Sequence, residues 1–345
     1  MCTEDFLLSR SLVEEGWVAP DFFSCSILLL LPGQSPINCS PITRIMLLIT
    51  GASGQVGQCF QQLAAQYPDF QFIFAGSGEL DITNQRDVDR FLRNDKIGWV
   101  INCAAYTAVD KAESEPDLAK KVNVIGARNL AEACAARGIP LIHLSTDYVY
   151  HNRQNTPFRE GDPVSPKGVY ARTKLAGDRA VLKAHPGGAM VIRTSWVYSA
   201  IGNNFLKTML RLGAERPALH VVFDQIGTPT YAPDLAEAIL TIIQKVEMGE
   251  VATDAISGIW HYSNEGVTSW YDFAQAIFDL RKLPCQVRPI ETRDYPTPAQ
   301  RPPFSVLNKG KIKAAFGLEI PHWRKSLECC LKGTMNDQGV RRGLW

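Results

Sequence analysis

The chain lacks the marks of several protein classes. Its 36 lysines and arginines nearly balance 35 aspartates and glutamates, leaving a net charge of +1. No electrostatic argument therefore favours a nucleic acid or an acidic membrane surface as partner. The apolar run Ile27–Leu31 falls far short of the roughly 20 residues that a spanning helix needs. The nine cysteines show neither C-x-x-C nor Cys/His ligand spacing. Cys59, Cys103 and Cys134 sit in apolar, regularly patterned segments, where a thiol behaves as a small hydrophobe. An odd count without a framework predicts a reducing, cytoplasmic setting rather than secretion. Cys329 and Cys330 read as incidental neighbours. The six histidines show no H-E-x-x-H spacing and read as structural or surface residues. There is no internal repeat and no low-complexity tract.

What remains is ordinary globular composition: 345 residues, 46% hydrophobic and 21% charged. That is enough for one large α/β domain or two smaller ones. The start carries Glu4, Asp5, Glu14, Glu15 and Asp21 against Arg10 alone, which fits neither a secretory signal nor a transit peptide. Pro32, Pro36 and Pro41 then break any element before Ile45. Residues 1–45 are expected to be an extension, disordered or created by a start assigned too early.

From Ile45 onward, apolar runs alternate with helix-length patterns. The runs "IMLLIT", "FQFIFAG", "WVINCAA", "PLIHLST" and "MVIRTSWVY" read as strands buried on both faces. Between them, "QCFQQLAAQY", "NQRDVDRFLRN", "PDLAKKVNVIGARNLAEACAARG" and "YARTKLAGDRAVLKA" read as helices, the third closed by Gly138. This alternation predicts a Rossmann-type, doubly wound parallel sheet with helices on both faces. After Tyr198 the rhythm loosens. Helices are expected in "NNFLKTMLRLGAER", "DLAEAILTIIQKV" and "SWYDFAQAIFDL", and strands in "ALHVVF" and "GIWHYSN". "TRDYPTPAQRPPF" is a proline-rich loop of the kind that often carries function. The expected division is a dinucleotide-binding domain over 46–195, a smaller α/β region for substrate with some sheet completion over 196–332, and a tail over 333–345.

Three stretches point to chemistry. "GASGQVG" places Gly51, Gly54 and Gly57 directly after a strand and at a helix start. There the backbone can approach a pyrophosphate and the helix N-terminus offers free N–H groups. No lysine follows the last glycine, so a P-loop is excluded. The second strand ends "AGSGELD", with neither an acid nor an arginine placed to choose NADH or NADPH; Asp81 lies beyond it, toward the adenine. "STDYVY" ends a strand with Ser145, Thr146 and Asp147, where ligands of such sheets bind. "YARTK" sets Tyr170 and Lys174 four apart on a helix, so both face one ligand.

With these stretches in place, the chain resembles the extended short-chain dehydrogenase/reductases and, among them, the dTDP-4-dehydrorhamnose reductases. The likeness runs from Met46 to about Leu331. It includes "NCAAYTAVDKAE", "STDYVY", "YARTKLAGD", "RTSWVY", "DQIGTPT", "GVTSWYDFA" and "YPTPAQRP". The resemblance implies reduction of the C4 carbonyl of dTDP-4-dehydro-β-L-rhamnose by NADPH or NADH. Tyr170 would be the proton donor, Lys174 would lower its pKa and hold the nicotinamide ribose, and Thr146 would bind the carbonyl. Gly51, Gly54, Gln55, Val56, Gly57, Asp81, Ile82, Ala105, Tyr106 and Thr107 would line the cofactor, with Asn123 bracing the catalytic group. Asp147 and Trp196 would line the sugar nucleotide, and Arg301 would suit its diphosphate. Asp110, Lys111 and Glu113 read as a solvated helix start.

The chain also departs from the family. Some members hold magnesium at a dimer interface through a glutamate shortly after the third glycine. Here that region reads "GQCF", with Cys59 and no acid, so no metal is expected. "YVYHNRQ" replaces the commoner "YVFDG" beside the substrate. The expected partners are a small nucleotide sugar and, at most, a second copy of the chain, as monomer or homodimer, without nucleic acid or membrane. Another nucleotide-sugar 4-ketoreductase, or a non-catalytic dinucleotide-binding regulatory subunit of the same fold, are the alternatives.

Overall fold

The computed structural model describes residues 44–340, with side chains through residue 332. The expected extension up to residue 43 lies outside the described residues, as does the tail beyond the backbone of its helix. The first half runs β1 (Ile45–Thr50), α1 (Gln55–Leu63), β2 (Phe70–Ala75), α2 (Gln85–Phe91) and β3 (Ile97–Asn102). It continues with α3 (Val109–Ala112), α4 (Pro116–Lys120), α5 (Ala127–Ala135), β4 (Leu141–Thr146), α6 (Gly168–Ala184) and β5 (Ala189–Thr194).

These strands form one parallel sheet in the order β2-β1-β3-β4-β5, completed at its far edge by β10 (Gly258–His261) from the second half. The continuous apolar runs have a simple cause. In β1, Leu47 and Ile49 pack on one face while Met46 and Leu48 pack on the other, and all four are buried. On the first face lies α1 with α8 (Ala232–Glu247); α2, α5 and α6 cover the second. The chain leaves β1 for β2 and then returns to β3 on the opposite side. The carboxyl ends of β1 and β3 therefore flank a crevice at the point where strand order reverses.

The second half adds β6 (Val197–Tyr198), α7 (Phe205–Glu215), β7 (Ala218–Val222), β8 (Ile226–Gly227) and β9 (Thr230–Tyr231) before α8. After β10 come β11 (Thr268–Ser269), α9 (Trp270–Arg281), β12 (Gln286–Ile290), α10 (Gly310–Phe316) and α11 (Trp323–Val340). Parallel β7 and β12 share a separate core with α7, α9 and α11.

Three elements differ from expectation. The helix read through 116–138 is interrupted: Lys121–Gly126 forms a π-helical turn between α4 and α5. That extra residue per turn rotates Asn123 inward, where it is buried. The helix ends at Ala135, and Gly138 (φ 64°) reverses the chain as Ile139 N–H reaches the Cys134 carbonyl. The strand read through "MVIRTSWVY" breaks at Ser195–Trp196, because Trp196 adopts a left-handed φ of 47°. The helix read in "QCFQQLAAQY" begins earlier, at Gln55, and tightens to a 3₁₀ turn after Leu63.

Gly177 marks how closely α6 crosses the π turn. A Cβ there would collide with the Asn123 carbonyl oxygen. Gly177→Ala should lower stability by about 1–3 kcal/mol, the cost of overpacking a tight site. A fall in the urea midpoint at unchanged m-value checks it.

Candidate active site

The glycine loop is built by close backbone approach. Gly51 (φ 64°) lies so near the β3 loop that a Cβ would sit 2.6 Å from Ala104 N, and at Gly57 it would meet Gly51 O at 2.5 Å. Gly54 precedes α1 in extended conformation, and α1 has neither a side-chain cap nor an acid in its first turn. Its N-terminal N–H groups stay open to an anion, as a pyrophosphate requires. A dinucleotide fits this cradle. Gln55 fixes the loop from the other side, donating to the Val197 carbonyl at 3.0 Å while accepting from Asn204 at 2.7 Å.

Of the other expected cofactor residues, Val56, Ala105 and Thr107 line the same cleft, whose volume is about 430 Å³. Asp81 is exposed beyond β2 and holds the Thr83 N–H and hydroxyl, while Ile82 is buried under Gly126. Asn123 accepts from Tyr106 N at 2.8 Å and donates to Tyr106 O and Thr173 Oγ1. It braces the β3 loop against α6.

Thr146, Asp147, Tyr170 and Lys174 meet in this cleft, with Trp196 on its wall. Burial pushes the Tyr170 phenol up to about 12, with a hydrogen bond to Thr146 pulling the other way. Burial thus holds the phenol in its neutral, proton-bearing form. Lys174 is itself buried, and its amine donates to the Leu144 carbonyl at 2.7 Å. Burial lowers it to about 8, although Asp178, one helical turn on, draws the proton back. Thr146 Oγ1 donates to Asp147 Oδ1 at 3.2 Å, and burial lifts the Asp147 carboxyl to about 7.

Tyr148, Phe205 and Trp270 join this cleft to a second of about 840 Å³, lined also by His220, Tyr295 and Arg301. The Trp196 ring covers Gly227 and stacks on Trp270 with centroids 3.6 Å apart. Arg301 borders this second cleft with its guanidinium already engaged. Its Nη atoms meet both Asp110 oxygens, at 3.1 and 2.7 Å. That pairing holds Asp110 below the usual carboxylate range.

The "DKAE" segment is therefore not merely solvated. Asp110 anchors the proline-rich loop, and Glu113 accepts the Val169 N–H at 2.7 Å, capping the helix that bears Tyr170. Only Lys111, paired with Glu115, fits the solvated reading. Of the six histidines read as structural or surface residues, His143 is buried, and its Nε2 lies 3.4 Å from the Lys174 amine. Its one sequence signal was a polar residue inside an otherwise apolar strand. Among the described residues, no three His, Cys, Asp or Glu side chains converge on a metal-sized site, and no helix is long and apolar enough to cross a membrane.

Comparison with known proteins agrees with this geometry. Residues 45–335 match the model of the RmlD substrate binding domain family. The dTDP-4-dehydrorhamnose reductase of Aggregatibacter actinomycetemcomitans is 42% identical over 289 residues, spanning 82% of this chain and 97% of that protein. The crystal structure of the dTDP-4-dehydrorhamnose reductase from Clostridium acetobutylicum superposes with a TM-score of 0.79 at 39% identity, covering 84% of this chain and 100% of the other. The enzyme of that name from Bacillus anthracis, solved in complex with NADP, gives 0.78 at 36% identity, covering 84% and 99%.

Lys174 has a direct pH consequence. Its folded pKa of about 8 lies below the ordinary 10.5, so between these values the unfolded chain holds the extra proton. Stability from this group is lowest below pH 8 and rises as the pH climbs toward 10.5. Urea melts of the parent and Lys174→Met should therefore diverge over that window by about 1–3 kcal/mol, in the parent's favour.

Proposed function

The chain belongs to the RmlD substrate binding domain family, and from that membership we propose that it reduces the C4 carbonyl of dTDP-4-dehydro-β-L-rhamnose to the alcohol of dTDP-β-L-rhamnose. The observation that carries this reading is the meeting of Thr146, Tyr170 and Lys174 in one cleft between the glycine loop and Trp196. Bound NADPH or NADH supplies the hydride. The rest falls to the chain's own side chains. Thr146 holds the carbonyl oxygen, and Tyr170 gives it a proton. A phenol near 12 is fully protonated at neutral pH, as a donor must be. Lys174, when charged, steadies the phenolate left behind.

Asp147 and Trp196 take the sugar, and Arg301, pinned by Asp110, presents its remaining N–H groups to the diphosphate. Residues 46–195 carry the dinucleotide and 196–332 most of the sugar nucleotide. The protein works in the cytoplasm as a monomer or homodimer on this small-molecule substrate.

Oxidation of NADPH with the dTDP-4-keto sugar, followed by absorbance, tests the assignment. Tyr170→Phe should reduce the rate by roughly 100- to 10,000-fold while NADPH binding persists. Cofactor binding without turnover in the parent protein would sink the proposal.

A further inference from the structure

A buried file of polar side chains runs from the glycine loop to the catalytic lysine. Thr50 Oγ1, at the end of β1, donates to Asn102 Oδ1 at 2.7 Å. The Ala104 N–H donates to the same oxygen at 3.1 Å. A backbone N–H can only donate, so this contact fixes which end of the Asn102 amide is oxygen. Asn102 Nδ2 must then donate to His143 Nδ1, 2.9 Å away. A ring nitrogen that accepts carries no hydrogen. The neutral imidazole therefore bears its proton on Nε2, the nitrogen 3.4 Å from Lys174 Nζ. Asn102, His143 and Lys174 are all at most 2% exposed, so water is no ready substitute partner.

The consequence lies in hydrogen-bond direction. An ammonium has three hydrogens and no lone pair, so it cannot accept from an N–H aimed at it; a neutral amine can. We infer that His143 is a positioning residue whose Nε2–H favours the neutral amine of Lys174, and so sets the pH at which the catalytic lysine gives up its charge. The other groups facing this amine divide in sign. On its own helix, Asp178 favours the charged form, and Tyr170 is neutral. From β5, Arg193 draws on Asp178 through a 3.1 Å contact and so weakens its hold on the lysine. His143, from β4, is held well below its ordinary pKa by burial and then by the lysine's charge. Burial alone already displaces Lys174 downward against the pull of Asp178, and the Nε2–H contact adds to that displacement.

This inference rests on the proposed reductase reading only for its kinetic arm. His143→Leu keeps the site apolar while removing the N–H. The alkaline limb of kcat/KM should move up by about one pH unit, with the acid limb unchanged. A folded, NADPH-binding variant whose alkaline limb stays in place would overturn the inference. A second measurement needs neither turnover nor a variant at His143. Side-chain 15N spectra of the full chain, assigned by substituting the other five histidines, should show His143 in the Nε2–H form throughout pH 6 to 9. Its shifts should inflect as Lys174 titrates, at about 8. An Nδ1–H or doubly protonated ring in that range would overturn the inference. Loss of turnover in the parent protein would refute the reductase reading and leave this spectroscopic result standing.

Discussion

The structure depends on keeping one amine, that of Lys174, inside the sheet–helix interface. A buried ammonium is costly unless its hydrogens find partners. Here the Leu144 carbonyl takes one, and Asp178 supplies an opposing charge. Asp178 is in turn shared with Arg193, which donates onward to the Tyr150 hydroxyl at 2.7 Å. That hydroxyl meets His261 Nε2 at 2.8 Å, while His261 Nδ1 donates to the Phe158 carbonyl. The donors all run in one sense, away from the guanidinium. β4, β5, β10 and α6 are thereby tied together beneath Tyr170 and Lys174.

A second set of ties fixes the roof. The β3 loop is pressed against the glycine turn at Gly51, braced by Asn123, and linked through Asp110 to the proline-rich loop. Glu113 carries the same segment to the start of α6. The glycine turn, the start of α6 and the proline-rich loop thus meet at residues 104–115. This short stretch has little regular structure of its own, and its side-chain and backbone contacts join the three.

Much of this was legible in the sequence, and the failures share a cause. The strands announced themselves because both faces of the sheet are covered, which makes each a continuous apolar run. The Tyr170–Lys174 pair was legible because helical spacing alone puts both on one face. Asp110 and Arg301 were not, since 191 residues separate them and neither carries a local sign of its partner. The contact between His143 and Asn102 was not legible for a related reason: the two are register partners on adjacent strands, and register is set by the sheet. The π turn at Lys121–Gly126 contains no proline, and its only glycine ends it. The break at Trp196 needs a left-handed φ that its residue type gives no reason to expect.

The proposed reaction delivers a hydride and a proton to the C4 carbonyl of a dTDP-linked keto sugar. The most direct measurement is isotopic: incubate the protein with NADPH carrying deuterium at both nicotinamide C4 positions and examine the sugar product by NMR. Deuterium is expected at C4 of the rhamnosyl ring, on one face only. A product carrying no deuterium at C4, or label scrambled over both faces, would contradict it.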